Sequence, residues 1–432
     1  MDKKITPVSK IEGKVQVPGD KSISHRALIL GAMTQGEVLI SNLSTADDCA
    51  ASIGCLRDLG IEIEKQSHAQ FLVKGQGIYG FREPSLVLDA QNSGTTLRLL
   101  CGLLAGQPFY SVITGDGSLR KRPMRRVIEP LRRMGAKILG RDGDTKPPIT
   151  IVGGELLPIE YTLPVASAQV KSAILIAGLF CQGETKVEEK IPTRDHTERM
   201  LRYLGADIKT SPDVIVVKGG KELRASDIFV PGDISSAIYF ILAAILLKNS
   251  WVKIENVGQN PTRMGFIEAL KKMGADIRIG NVKTKNEEPY ADLEARSSEL
   301  KAIEVSPEMI PSMIDEIPAL ALAATQAKGK TIIHGAGELR FKESDRLKTM
   351  ATELKKLGAW VKEKEDGLEI IGPIKLAGAT CHTYGDHRLV MTLAVAGLMA
   401  QGVTLIKDAE VVAVSFPGFF ERLALLTGEK YE

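Results

Sequence analysis

The chain has 432 residues, of which 44% are hydrophobic and 25% are charged, and its formal net charge is +3. This composition is ordinary for a globular protein long enough for two domains, and the small charge does not favour a nucleic-acid or membrane partner. The N-terminal residues lack the apolar stretch of a signal peptide, and no apolar run approaches the ~20 residues of a membrane span. We therefore expect a cytoplasmic protein that binds neither nucleic acid nor membrane.

The cysteines give no sign of a disulfide framework or a metal site. They are odd in number and show no CxxC or Cys/His ligand spacing. We expect buried free thiols in a reducing compartment and no bound metal. The five cysteines are Cys49, Cys55, Cys101, Cys181 and Cys381.

Six similar phrases of the type LRRMGA recur along the chain, and each predicts the end of a helix. Two apolar residues three positions apart suit one buried face, basic residues suit the last turn, and Gly suits a left-handed turn. A β-type run follows most copies, and the last copy is degraded. A unit of about 70 residues therefore repeats six times. The phrases begin at Leu56, Leu131, Leu201, Leu270, Leu354 and Leu423.

A second repeat, VPGD at residues 17–20 and 230–233, divides the six units into two halves. Pro and Gly at both places suit crossings of the chain between lobes. We predict one discontinuous lobe from residues 1–19 plus 231–432 and a second lobe from residues 20–230, with three repeats in each. The strand before Gly19 is expected to join the first lobe. Two similar lobes facing each other predict an active site in the cleft between them.

Four predicted helices begin with small polar residues, at about Ser22, Ser93, Ser167 and Ser235. Plain N-capping explains any one of these segments. Three of them also carry groups that a cap does not need. Because helix N-termini have free N–H donors and partial positive charge, their convergence with cations would form an anion site. The additional groups are Lys21, Arg26, Gly94, Gln169 and Lys171.

Basic clusters form a second set of candidates. Residues 120–126 contain five cations, either as a solvated loop or as the partner of an anion. Lys342, Glu343 and Arg346 surround a predicted helix start, as a surface ion-pair patch or as part of a site. An N-cap Asp386 with Arg388 nearby allows the same two readings. Residues 193–198 read equally as a capping box, with Thr at the cap and Glu late in the motif.

Two acids among these cations suit proton transfer. Asp315 precedes an almost purely apolar predicted helix, and Glu343 lies between Lys342 and Arg346 in the wider motif. With cations supplied by both halves, they would give two carboxylates for proton transfer inside a positive site. Neighbouring Lys and Arg side chains would keep them ionised.

Nine motifs together resemble the family of 5-enolpyruvylshikimate-3-phosphate (EPSP) synthases in order and approximate spacing, over essentially the whole chain. The resemblance implies an α/β fold, a two-domain inverse α/β barrel of six βαβαββ repeats, three per domain. It also implies transfer of the enolpyruvyl group of phosphoenolpyruvate to the 5-hydroxyl of shikimate 3-phosphate, with release of phosphate, no metal and no organic cofactor. Glyphosate inhibits many members at the phosphoenolpyruvate site. The motifs are KSxSxR, NSGTT-R, LRKRPM, SAQVKSA, RDHTE, DEIPALA, KESDRL, GDHR and SFPGF.

The resemblance also implies a role for each matching residue. The shikimate 3-phosphate contacts would be Lys21, Ser22, Arg26, Ser167, Gln169, Arg194, Asp315 and Lys342. The phosphoenolpyruvate contacts would be Lys21, Gly94, Arg122, Gln169, Arg346 and Arg388. The catalytic residues would be Asp315 as base, Glu343 and Lys342 for the proton at the methylene carbon, and Lys21.

Some positions depart from the family pattern, and two other functions stay open. Leu99 replaces a common Pro, Ala168 replaces a second Ser, and Val414 stands where a Lys is frequent, so the last two are left out of the site. The related UDP-N-acetylglucosamine enolpyruvyl transferases typically carry a Cys in the loop matching residues 114–124, which has none. A non-catalytic anion-binding protein is the other alternative, although Asp315 and Glu343 would weaken anion binding. A phosphate-binding GxxxxGK[ST] loop is absent. We expect a monomer.

Overall fold

A computed structural model describes residues 1–431, and the chain divides into two compact units. Unit 1 comprises Met1–Pro18, Pro231–Thr284 and the chain from Pro289 onward. Unit 2 comprises Gly19–Val230 together with Lys285–Glu288. Within the described residues, every helix is too short or too polar to cross a membrane.

The helices are numbered along the chain, and α5 is a single irregular turn with left-handed residues inside it. The helices are α1 Lys21–Ala32, α2 Asp47–Asp58, α3 Gly94–Ala105, α4 Arg125–Arg133, α5 Arg141–Asp144, α6 Ala168–Gly178, α7 His196–Tyr203, α8 Ile234–Leu246, α9 Gly265–Lys272, α10 Ile317–Gln326, α11 Arg346–Lys356, α12 His387–Met399 and α13 Phe419–Thr427.

The strands are short, and most belong to four-stranded sheets. The strands are β1 Lys3–Ile5, β2 Glu12–Val15, β3 Thr34–Ser41, β4 Glu62–Ser67, β5 Gln70–Gln76, β6 Leu88–Asp89, β7 Tyr110–Thr114, β8 Lys137–Gly140, β9 Lys146–Val152, β10 Glu160–Thr162, β11 Glu184–Glu188, β12 Asp207–Thr210, β13 Val214–Lys218, β14 Leu223–Arg224, β15 Ile228–Phe229, β16 Trp251–Gly258, β17 Asp276–Lys285, β18 Glu288–Arg296, β19 Glu304–Val305, β20 Gly329–Ile333, β21 Trp360–Glu363, β22 Leu368–Gly372, β23 Thr380–His382 and β24 Thr404–Lys407.

One βαβαββ unit recurs in the sheets, as the family resemblance implies. The orders β6-β7-β9-β8, β10-β11-β13-β12 and β19-β20-β22-β21 are equivalent. In each of these sheets the first two strands are parallel and the remaining pairs are antiparallel. Each unit contains three sheets, so the prediction of a two-domain α/β fold built from repeats is confirmed.

Strands that are distant in sequence complete the remaining sheets. Strand β2 pairs in parallel with β16, and both strands belong to unit 1. Strands β14 and β15 both pair in parallel with β3 in unit 2. The sixth sheet, β1-β24-β23, has only three strands, and β1 pairs antiparallel with β24. The degraded sixth phrase ends α13, and no strand follows α13 within the described residues up to 431.

The predicted helix ends have the geometry of a Schellman motif in five copies. The glycines have φ between +84° and +106°, a region that glycine enters without the steric cost of a side chain. The N–H group of the following residue donates to the carbonyl of the first Leu of the phrase, at 2.9–3.1 Å. A strand then begins in every copy: β4, β8, β12, β17 or β21. The five glycines are Gly60, Gly135, Gly205, Gly274 and Gly358.

Each unit has its own apolar core, and the first helix of each repeat runs through it. In α8, every residue from position 234 to position 245 is buried. Helices α1, α3 and α6 of unit 2 and α10 and α12 of unit 1 are buried along almost their whole length. Because such helices are apolar on all sides, their polar groups are concentrated at their ends, where the candidate residues lie.

Candidate functional site

In unit 2, three core helices have side-chain N-caps; those at Ser93 and Ser167 confirm the prediction, whereas α1 is capped by Asp20, which precedes the predicted residues. Asp20, Ser93 and Ser167 cap α1, α3 and α6, and their side chains accept hydrogen bonds of 2.9, 3.1 and 3.4 Å from backbone N–H groups three residues later. Other N–H groups of each first turn have no partner within the helix. These helix starts are therefore suited to an anion.

Two guanidinium groups lie against the start of α3. A Cβ atom placed on Gly94 would lie 2.9 Å from Nη1 of Arg98 and 3.2 Å from Nη1 of Arg122. Nη2 of Arg122 donates to Oδ1 of Asn92 at 2.7 Å, and the amide of Asn92 donates to Asp116 at 2.6 Å. The residues of the NSGTT-R motif and of the basic loop thus meet at one helix start.

Gln169 links the start of α6 to the start of α3. Its Oε1 accepts a hydrogen bond from Arg98, and its Nε2 donates to Oγ1 of Thr95 at 2.9 Å. Both ends of the amide are therefore held by protein groups. The structure brings Gln169 together with the neighbourhood of Gly94, as a shared phosphoenolpyruvate site requires.

Lys21, the first residue of α1, has a carboxylate partner. Its Nζ lies 2.6 Å from Oδ2 of Asp48 in the first turn of α2, and both side chains are largely buried. The backbone carbonyl of Asp48 also accepts a hydrogen bond of 3.3 Å from Thr96. Sequence reasoning missed Asp48 because no motif marks it.

Arg26 is buried and held by three hydrogen bonds, one from each guanidinium nitrogen. Nε donates to Oγ1 of Thr197 at 2.7 Å, Nη1 to the carbonyl of Ser22 at 2.9 Å, and Nη2 to Oγ of Ser172 at 2.8 Å. The side chain thus connects α1, α6 and α7. These three bonds give the guanidinium one defined position.

The electrostatic surroundings of Arg26 contain a second cation and a carboxylate. Burial lowers the pKa of Arg26 to about 10; the negative charge of Glu198 opposes this shift, and the positive charge of Arg194 adds to it. Arg26 and Arg194 are therefore close enough for their charges to interact. Two cations in one neighbourhood suit a doubly charged phosphate.

The capping-box reading of residues 193–198 is wrong. Helix α7 begins at His196 with Asp195 at the N-cap position. Thr193 instead donates to Glu189 at 2.7 Å, and Glu198 forms an ion pair of 2.7 Å with Lys171. Both side chains of the expected box are used by groups outside α7.

In unit 1, Arg346 is the centre of a cluster of charged side chains. Its Nη1 donates to Asp315 at 3.2 Å, its Nη2 to Glu343 at 2.7 Å, and its Nε to Asp386 at 2.8 Å. Lys342 donates to the same oxygen of Asp315 at 3.1 Å. The two carboxylates that sequence analysis singled out for proton transfer are therefore bound to one guanidinium.

The buried position of Arg346 restricts what it can bind. Burial by itself would lower its pKa, but Asp386, Glu343 and Asp315 raise the pKa of Arg346 well above its usual value. Four of its five N–H groups donate to the three carboxylates, so a ligand anion has the second N–H of Nη1 to bind without displacing a partner. Its assignment to phosphoenolpyruvate stays a prediction.

Three helix starts supply this cluster. Asp315 lies in the turn Ile314–Glu316 before α10, whose N-cap position is occupied by Glu316. Arg346 is the first residue of α11. Asp386 caps α12, as predicted, because its side chain accepts a hydrogen bond of 2.9 Å from the backbone N–H of Arg388. Its additional ion pair with Arg346 was not foreseen.

Arg388 lies in the first turn of α12 and is buried. Its Nη1 donates to the carbonyl of Ser235 at 3.0 Å, which connects it to the start of α8. Burial by itself would lower its pKa, whereas Tyr239 and Asp315 raise the pKa of Arg388. Burial also raises the pKa of Tyr239 to about 12, so this phenol is neutral at pH 7.

The predicted site residues fall into two groups, one in each unit. Unit 2 contains Lys21, Ser22, Arg26, Gly94, Arg122, Ser167, Gln169 and Arg194. Unit 1 contains Asp315, Lys342, Glu343, Arg346 and Arg388. Across residues 1–431, His, Cys, Asp and Glu side chains form no group of three or more suited to a metal ion.

Comparisons with known proteins agree with the resemblance. The family model described as EPSP synthase (3-phosphoshikimate 1-carboxyvinyltransferase) matches residues 5–423. A 3-phosphoshikimate 1-carboxyvinyltransferase from Petrotoga mobilis is 53% identical over 420 residues, which are 96% of this chain and 97% of the relative. The enzyme of that name from Desulforamulus reducens is 50% identical over 98% of this chain and 99% of its own.

Solved structures show the same fold. A structure of EPSP synthase from Acinetobacter baumannii superposes with a TM-score of 0.89 at 44% identity, over 100% of this chain and 99% of the other. The enolpyruvyl transferase NikO from Streptomyces tendae has a TM-score of 0.81 at 20% identity, covering 100% of this chain and 98% of its own, which supports the fold alone.

Proposed function

Because the chain belongs to the EPSP synthase family, we propose that the protein transfers the enolpyruvyl group of phosphoenolpyruvate to the 5-hydroxyl of shikimate 3-phosphate and releases phosphate. The observation that supports this chemistry most directly is the contact of Asp315 and Glu343 with Lys342 and Arg346. It combines two carboxylates with two cations, as an addition followed by an elimination requires.

In the addition step, Asp315 removes the proton from the 5-hydroxyl group of shikimate 3-phosphate. The oxygen of that hydroxyl group forms a bond to C2 of phosphoenolpyruvate. The contacts with Lys342 and Arg346 favour the carboxylate form of Asp315. For this step Glu343 is in its protonated form and gives its proton to the methylene carbon, assisted by Lys342, which leaves Glu343 as the carboxylate. Two electrons of the double bond form the new C–H bond, which leaves a tetrahedral intermediate.

In the elimination step, the proton at the methyl carbon returns to Glu343 and the C–O bond to phosphate breaks. The double bond re-forms, and phosphate leaves with the electron pair. A cation beside the leaving group stabilises its charge. We assign this role to Lys21, which is the first residue of α1 and lies beside the backbone N–H donors of that helix start.

The substrates together carry two phosphates and two carboxylates, which explains the number of cations. In unit 2, Arg26 and Arg194 would hold the phosphate of shikimate 3-phosphate, with Ser22, Ser167 and Gln169 as further contacts. Lys21, Gly94, Gln169 and Arg122 would hold phosphoenolpyruvate, together with Arg346 and Arg388 of unit 1. Arg suits bidentate binding of planar carboxylates and of phosphates.

The direct test is release of inorganic phosphate from the purified protein with both substrates, with each omitted in turn. We expect release only when both are present. Replacing shikimate 3-phosphate by UDP-N-acetylglucosamine tests the related transferase activity, and we expect no release. Calorimetric binding of both substrates without release would instead support the non-catalytic alternative.

We further propose that the protein acts as a cytoplasmic monomer. All five cysteines are free and buried, which suits a reducing compartment. Sedimentation velocity at two protein concentrations tests the monomer, and a shift to a larger species at the higher concentration would contradict it. Fractionation of the source cells tests the location.

A further inference from the structure

Lys171 is a fully buried cation that the proposed reaction does not use. It lies in α6, and its side chain is 0% exposed. Its Nζ contacts Oε1 of Glu189 at 2.8 Å, Oε1 of Glu198 at 2.7 Å and the carbonyl of Thr193 at 3.4 Å. We call Lys171, Glu189 and Glu198 the buried lysine cluster.

The buried lysine cluster holds the segment that carries Arg194. Glu189 Oε2 accepts hydrogen bonds from the backbone N–H of Thr193 at 3.2 Å and from its hydroxyl at 2.7 Å. Lys171 contacts the carbonyl of the same residue. Thr193 is thus held at its N–H, its carbonyl and its side chain, and Arg194 is the next residue in the chain.

The same cluster aligns α6 with α7 at the position of Arg26. Lys171 pairs with Glu198, and the adjacent residues Ser172 and Thr197 share a hydrogen bond of 2.7 Å. Arg26 donates to both of these hydroxyl groups, at 2.8 and 2.7 Å. A shift of α7 relative to α6 would therefore separate the two acceptors that fix the guanidinium.

Electrostatic interactions also connect the buried lysine cluster with Arg26 and Arg194. The negative charge of Glu198 acts on Arg26, in opposition to the positive charge of Arg194. Two neighbouring arginines repel each other when no ligand is bound, and a buried carboxylate nearby reduces that repulsion. A buried ion cluster by itself is weak evidence for stability, because apolar replacements are often neutral or stabilising.

We infer that Lys171, Glu189 and Glu198 are positioning residues that set Arg26 and Arg194 for the phosphate of shikimate 3-phosphate. The inference rests on the proposed function, since it takes that phosphate as the ligand of both arginines. The side chains of the cluster contact Thr193 and lie beside the acceptors of Arg26, whereas Gln169 of the phosphoenolpyruvate site is held by Arg98 and Thr95. We therefore expect the larger effect on shikimate 3-phosphate. The cluster itself touches no substrate.

The test compares Glu198→Gln and Lys171→Met with the wild-type protein. Both variants are assayed for the KM of each substrate, for kcat and for the thermal midpoint of unfolding. We expect the KM for shikimate 3-phosphate to rise about tenfold, and the KM for phosphoenolpyruvate to change by less than about twofold. Glu198→Gln preserves shape and hydrogen bonding, so it is informative even if Lys171→Met does not fold.

A matched control is Glu353→Gln in unit 1. Glu353 is also fully buried and accepts hydrogen bonds from Lys356 at 2.8 Å and Tyr384 at 2.7 Å. We expect this variant to lower the thermal midpoint without changing either KM. A purely stabilising role for the buried lysine cluster predicts the same pattern for Glu198→Gln.

Wild-type KM values for shikimate 3-phosphate in both variants would overturn the inference. Equal increases in the two KM values, or failure of both variants to fold, would also overturn it. If the wild-type protein releases no phosphate, the proposed function fails; calorimetry with shikimate 3-phosphate alone then compares the affinities of wild type and Glu198→Gln. An equal affinity in that experiment, or no binding to the wild type, counts against the inference.

Discussion

The ammonium group of Lys342 lies 3.1 Å from Oδ1 of Asp315, and Arg346 donates to the same oxygen at 3.2 Å. This carboxylate therefore has two cations on one oxygen. Such an arrangement keeps a base ionised and orients it.

Replacing Asp315 by Ala should reduce catalysis far more than binding. A positioned general base contributes roughly 10²–10⁴-fold to the rate, so we expect kcat to fall by about that factor. Steady-state kinetics and calorimetry with each substrate measure the two effects. Asp276→Ala is a control, since the side chain of Asp276 forms an exposed pair with Arg278. Near-normal turnover of Asp315→Ala would remove Asp315 from the mechanism.

Glu343→Gln should specifically impair proton transfer to and from the methylene carbon of phosphoenolpyruvate. Its carboxylate is held by Arg346 at 2.7 Å, and the amide keeps the shape but cannot transfer the proton. We expect kcat to fall by about 10²–10⁴-fold, and exchange of the methylene hydrogens with D₂O to be lost. Mass spectrometry of recovered phosphoenolpyruvate and product measures this exchange. Exchange at the wild-type rate would assign the proton to another group.

Gly94→Ala should weaken binding of phosphoenolpyruvate and of glyphosate, which we expect to compete with it. The added methyl group would lie 2.9 Å from Arg98 and 3.2 Å from Arg122, so these guanidinium groups must move. Inhibition curves at several phosphoenolpyruvate concentrations give both constants. The control is Gly54→Ala in α2, where a Cβ atom meets nothing within 4 Å. Equal glyphosate inhibition constants for wild type and Gly94→Ala would contradict the steric account.

The cysteines should be unreactive in the native protein. Burial raises the pKa of Cys101 and Cys55 to about 12, so the reactive thiolate is scarce at pH 8. We expect Ellman's reagent to report no thiol in the native protein and five in guanidinium chloride. Rapid reaction of one thiol in the native state would show that its site opens to solvent.

Chelators should leave activity unchanged. The proposed steps use only carboxylates, lysines, arginines and helix starts. We expect the same rate of phosphate release before and after dialysis against EDTA. A loss of rate that added divalent cation restores would require a metal in the mechanism.

The repeats were predictable because each phrase acts locally. A Schellman motif involves six consecutive residues, and the sequence shows the glycine that adopts its left-handed conformation. The same holds for the N-caps Ser93 and Asp386, each of which accepts a hydrogen bond from a backbone N–H two or three residues away. The sheets were harder to predict, since β1 and β2 pair with β24 and β16, far along the chain.

The site was predictable in its motif residues and less so in their partners. Asp48 was missed because a carboxylate in a first helical turn suits the helix dipole without any ligand. The capping box at residues 193–198 was wrong because Glu198 pairs with Lys171 from another helix. Lys171 itself was read as part of an anion site, and only its burial shows that its partners are glutamates.

The sequence by itself determined the number of repeats, the ends of the helices and the family, because these depend on neighbouring residues and on motifs in order. Tertiary structure alone decided which carboxylate faces which cation. Arg346 reaches Asp315 and Asp386 across 31 and 40 residues of chain, and Arg26 reaches Ser172 across 146. Such long-range contacts depend on how packed helices bring their ends together. Apolar periodicity indicates which face of a helix is buried but not which helix packs against it.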